Sequence, residues 1–168
     1  MALTYESIAT TTLGTNAADI TFTSISGSYT DLILVGNFAL ASASNALNLN
    51  FNSDSGSNYS VTSLYGDGSA AASVRATNRT AALVSYYVDA SGTVGESNIV
   101  CHIQNYSNST TYKTVLSRMN RATANNFPGA EATVTMWRST NAITSIKVSA
   151  AANLVSGSTF TLYGIKSF

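Results

Sequence analysis

The sequence predicts an all-β protein, a jelly-roll-like antiparallel β-sandwich. Three observations lead there. Only 10% of the 168 residues are charged, against a usual share of about 25%, and Ser, Thr and Asn fill the gap. These are poor helix formers; Thr suits strands, and Ser and Asn suit turns. Short apolar runs recur with turn signals about every ten residues, the pattern of a sandwich or barrel. No long stretch holds a helical period.

Taken in order, Met1–Leu13 carries Leu3, Tyr5 and Ile8 before a run of threonines. It reads as an N-terminal arm or a first strand, with residues 14–168 forming a single β-sandwich domain. As an arm, it reaches beyond its own domain, to a neighbouring subunit or a partner surface. Asp19–Ile25 alternates Ile20 and Phe22 with Thr21 and Thr23, as a half-buried strand does. Tyr29–Leu40 is the longest apolar stretch and reads as a central strand buried on both faces. Gly36 within it marks a bulge or a close backbone approach. Leu47, Leu49 and Phe51 alternate with asparagines. Ser53–Asn58 is a polar loop, Tyr59–Tyr65 a strand, and Ser69–Asn78 a further loop.

Thr80–Val88 is a strand containing Tyr86 and Tyr87. Ile99–Gln104 and Tyr112–Met119 form a hairpin around Ser107–Thr111, whose short polar side chains favour a turn. Ala130–Arg138, Ile143–Val148 and Thr159–Lys166 complete nine or ten strands. More than seven strands in one domain favour a jelly roll over an immunoglobulin-type sandwich.

Composition also limits function. Eight cationic and eight anionic residues leave zero formal net charge. No long-range field draws nucleic acid or anionic lipid. The longest aliphatic run, Leu32–Val35, is far too short to span a membrane. The N-terminus lacks a basic, then apolar, signal pattern, so synthesis in a cytoplasm is expected.

Catalytic chemistry finds few parts. His102 is the single histidine and Cys101 the single cysteine. Neighbours on a strand face opposite ways, so they form no dyad. One His and one Cys cannot assemble a zinc site. The eight carboxylates are scattered, mostly at turns, and Asn52–Asn58 lacks the closing Glu of a calcium loop. Lys113, Arg118 and Arg121 form a small basic cluster. No catalytic, metal or cofactor residue is therefore assigned. Strand aromatics can serve core edges or interfaces. The candidate partner contacts are Leu3, Tyr5, Ile8, Tyr86, Tyr87 and Trp137.

The runs YESIATTTLG, FNSDSGSNYS, IQNYSNSTTYKTVLSR, MWRSTNAITSI and STFTLYGIK span nearly the whole chain. In that order they resemble small bacteriophage structural proteins of phages that infect aquatic bacteria. Such modules serve as head decoration (cement) proteins or as tail-fibre tips. The resemblance implies a non-enzymatic virion protein, a homotrimer that binds the major capsid protein, with the capsid as the partner surface for an arm. The alternative it implies is a receptor- or glycan-binding tip among tail proteins. A chain that opens on its own methionine, with no coiled-coil or collagen-like shaft, favours the stand-alone decoration role. A small glycan hydrolase, with two carboxylates facing across a cleft, is the enzyme alternative.

Overall fold

A computed structural model describes residues 4–42, 45–88, 93–122 and 129–166. It holds twelve strands: β1 (Tyr5–Thr12), β2 (Ala17–Phe22), β3 (Asp31–Phe38), β4 (Asn45–Phe51), β5 (Tyr59–Gly66), β6 (Ala71–Arg79), β7 (Ala82–Val88), β8 (Ser97–Gln104), β9 (Lys113–Arg121), β10 (Gly129–Trp137), β11 (Ile146–Leu154) and β12 (Thr159–Ile165). They form an eight-stranded sheet, ordered β1-β12-β3-β8-β9-β10-β5-β6, and a four-stranded sheet, ordered β2-β11-β4-β7. Every pairing is antiparallel. The two sheets pack as a β-sandwich around one apolar core.

The alternation expected from sequence sets most of that core. Ile20 and Phe22 of β2, Leu47, Leu49 and Phe51 of β4, and Phe160 and Leu162 of β12 all point inward. The hairpin of β8 and β9 lies in the middle of the long sheet, with Ile99, Cys101 and Ile103 buried. Gly36 is a close approach rather than a bulge. Both registers of β3 run unbroken through it. A Cβ there would enter the Phe160 ring and meet Ile99 Cγ2 at 3.0 Å, so the aromatic ring covers the strand where a side chain would stand.

Four expectations are revised. Most of Ser69–Asn78, expected as a loop, lies in β6 (Ala71–Arg79). Neither face of this edge strand is well buried, so it carries no apolar alternation. Pairing with β5 makes it a strand. Asp67 closes the turn between them, accepting from Ser69 N and Ala70 N at 2.9 Å each. The strand expected at Ile143–Val148 begins later and runs on through Leu154. The central strand, expected to be buried on both faces, is buried on one; Val35 on the other is 38% exposed.

The fourth concerns the N-terminal segment. Tyr5–Thr12 is a strand, hydrogen-bonded along β12 of its own chain. Lys166 Nζ reaches Glu6 Oε2 at 2.5 Å, and Tyr29 donates to Glu6 Oε1 at 3.2 Å. The first strand, not a free arm, describes residues 5–12.

Candidate functional site

β5, β9 and β10 of the long sheet pack against β7, the edge strand of the short one. In this region polar and apolar side chains share both faces of the long sheet, and on β10 the usual assignment is reversed. β10 turns Glu131, Thr133 and Thr135 inward and Ala130, Ala132 and Val134 outward. β9 turns Lys113 and Ser117 inward beside Val115 and Met119, and Leu116 outward beside Arg118 and Asn120. β5 buries Ser63 and leaves Leu64 61% exposed. Register decides this, because a slip of one residue would exchange the two rows.

The inward polar row has a definite task. It meets β7, the edge strand of the short sheet. Ser117 Oγ donates to Val84 O at 2.5 Å, and Thr135 Oγ1 donates to Leu83 O. Tyr86 N donates to Glu131 Oε1 at 2.7 Å. The Glu131 carboxylate also accepts from Ser63 (2.5 Å), Thr133 (2.8 Å) and Ser85 (2.8 Å). Backbone groups at a buried edge need partners, and side chains of the facing sheet supply them.

The outward row is the consequence. Val35, Val100, Arg118, Ala132, Leu64 and Ser73 stand in cross-strand register on β3, β8, β9, β10, β5 and β6. They form one of the two rows that line an open trough of about 1020 Å³; the other is Asn37, Asn98, Asn120, Ala130, Gly66 and Ala71. Each of the six strands contributes a residue and the one two positions along, so the trough runs across the strands. Of seven large hydrophobic side chains exposed among the described residues, five (Tyr5, Val35, Leu64, Leu116 and Val134) lie on this outer face. Exposed apolar side chains gathered on one face mark an interaction surface more than scattered ones do.

The residues singled out from sequence fall in different places. Tyr5 is on the outer face at the sheet edge, and Ile8 packs partly against the core. Tyr86 is 41% exposed and stacks on Tyr65, ring centroids 5.6 Å apart. Leu3 and the Tyr87 side chain lie outside the described residues. Trp137, expected at a partner contact, is buried beside Phe51 and Tyr59. It occupies the inward row of β10, and its Nε1 donates to Asp54 Oδ2 at 2.6 Å.

That bond explains the polar loop. Asp54 also accepts from Gly56 N at 2.8 Å and from Asn58 Nδ2 at 3.0 Å. Burial pushes its carboxyl up, but the donors from Trp137, Asn58 and Gly56 together hold it below its ordinary value. Tyr59, behind it, is pushed up to about 12 by burial. The loop thus anchors Trp137.

His102 acquires a partner that sequence order does not reveal. Its Nε2 lies 2.8 Å from Asp31 Oδ2, and Asp31 Oδ1 accepts from Asn105 N at 2.7 Å. A carboxylate orienting a histidine is two-thirds of a hydrolytic triad. The cross-strand neighbours of His102 are Ile33 and Leu116, which offer no nucleophile. Cys101 is fully buried on the other face, its thiol pushed up by desolvation. The basic cluster divides as well: Lys113 is buried and donates to Thr111 O and Thr140 O, whereas Arg118 points into the trough. Among the described residues no three His, Cys, Asp or Glu side chains converge as a metal site.

Compared with known proteins, the chain matches no family model, no curated protein and no solved structure.

Proposed function

We propose that this is a non-enzymatic bacteriophage virion protein, a capsid decoration (cement) protein that attaches to the major capsid protein as a homotrimer. The observation that carries this reading is the outer face of β5, β9 and β10, which exposes Leu64, Leu116 and Val134. Apolar side chains turn outward there while hydroxyls and a carboxylate are buried. Burying apolar area is worth about 25 cal/mol per Å², so such a face favours a covered state. The Asp31–His102 pair has Ile33 and Leu116 as its cross-strand neighbours, and neither is a nucleophile. Zero formal net charge also suits dense packing of copies.

A jelly roll is the topology we propose for the sandwich. With the hairpins β5–β6 and β9–β10 set aside, the sheets read β1-β12-β3-β8 and β2-β11-β4-β7. The remaining eight strands alternate between sheets except at the midpoint, where β4 and β7 are neighbours in one sheet, and the first lies beside the last, as a folded double Greek key requires.

The experiment is a count of this protein in purified particles, with wild type compared against Leu64→Ser. Hundreds of copies that fall sharply in the variant fit a head decoration protein. A few to a few dozen copies would replace it with the tail reading. The observation that favours the latter is the exposed Tyr65–Tyr86 stack, a surface of the kind that holds sugar rings.

A further inference from the structure

The trough differs from a plain apolar patch in shape and in charge. Six strands line it, and their five gaps of about 4.8 Å make it about 24 Å long. It is only two residue rows wide, and the row opposite Arg118's carries Asn37, Asn98 and Asn120. A compact small molecule would leave most of that length empty. An extended chain rising about 3.3 Å per residue fills it with about seven residues.

Arg118 stands near the middle, with Val100 and Ala132 as its cross-strand neighbours. Among the described residues the ion pairs are His102–Asp31 and Lys166–Glu6; the Arg118 side chain takes part in neither, nor in a side-chain hydrogen bond. A second cation, Arg75, points outward from β6, opposite Thr62. The outward carboxylate of this face, Asp31, is held by His102 and Asn105. An occupant that buried the trough without an acid would strip water from Arg118 and give nothing back, a costly outcome. A second copy laid face to face would bring cations toward cations, with its Asp31 already engaged.

We propose that the trough binds an extended segment of a partner protein, about seven residues long, with apolar side chains toward the floor and a carboxylate on Arg118. The inference rests on reading this face as the attachment surface and states the chemistry of the segment it takes. Arginine and carboxylate pair through two parallel hydrogen bonds, which fixes the register of the segment as well as its charge.

The test needs no virion. A displayed library of random nine-residue peptides is selected on the purified full chain and on Arg118→Glu, Leu64→Ser and Tyr112→Ser variants. Tyr112 is exposed and absent from the trough lining, so its variant is the control. We expect peptides with one central Asp or Glu between apolar residues, enriched about tenfold to a hundredfold over acid-free ones, the range of a charged hydrogen bond. Selection on Arg118→Glu should turn that preference to Lys or Arg. Leu64→Ser should weaken every selected peptide, and Tyr112→Ser none. Enrichment indifferent to the acid, or no peptide that distinguishes Leu64→Ser from wild type, overturns the proposal. So does self-association of the wild type that both Arg118→Glu and Leu64→Ser abolish, since the occupant would then be a second copy. A peptide result of the expected kind with unchanged particle decoration by Leu64→Ser would sink the attachment reading and leave the binding chemistry standing.

Discussion

Replacing Glu131 by alanine tests whether the buried polar row holds the two sheets together. Glu131 is 8% exposed and accepts four hydrogen bonds, three from hydroxyls and one from Tyr86 N. Two of the three hydroxyls have other acceptors nearby. Thr133 already reaches Ser63 Oγ at 2.7 Å, and Ser85 reaches Met119 Sδ at 3.1 Å. Tyr86 N has none, and a buried orphan donor costs about 1–3 kcal/mol. Losing the charge-assisted bonds adds to that, while releasing a buried carboxylate subtracts from it. The net expectation is a loss of about 2–4 kcal/mol for Glu131→Ala. Glu131→Gln keeps one acceptor oxygen and should lose about half as much. Urea unfolding followed by Trp137 fluorescence reads both, because the single tryptophan is buried in the fold. A loss below about 1 kcal/mol for alanine would refute the claim that this row secures β7.

Other substitutions separate surface from core. Leu64→Ser and Val134→Thr, both on the exposed outer face, should shift stability by less than about 0.5 kcal/mol, and urea midpoints check this. Gly36→Ala should cost more than about 2 kcal/mol, since its methyl group needs the space of the Phe160 ring; an unchanged thermal midpoint would contradict that. The Asp54 carboxyl is held below its ordinary 3.8. Its stabilisation is therefore present above that value and lost as pH falls through the folded value. Asp54→Asn should remove that part of the acid slope in urea midpoints measured from pH 6 downward. Burial holds Lys113 below the ordinary 10.5 of an ammonium. The fold therefore gains stability as pH rises from the folded value toward 10.5, and Lys113→Met should abolish that rise.

What the sequence determined by itself was the class of fold and the position of most strands. Ile20 with Phe22, Leu47 with Leu49, and Phe160 with Leu162 alternate because one face of each strand is buried. The hairpin of β8 and β9 was legible for the same reason, helped by the turn chemistry of Ser107–Thr111. β6 was not legible, because an edge strand with two wet faces needs no pattern. Nor could the chain say which row of β10 faces inward. Alternation marks two rows but not their direction, and an apolar row is ordinarily assigned to the core. Here the edge of β7 lies behind β10 and requires hydrogen bonds, so Glu131, Thr133 and Thr135 turn in and Ala132 and Val134 turn out. The same placement carries Trp137 into the core. Asp31 and His102 lie 71 residues apart in the chain and meet only because β3 pairs with β8. The candidate site is therefore a product of strand order. Its residues come from six strands between Val35 and Ala132, and only the closing of the sheet puts Arg118 among them.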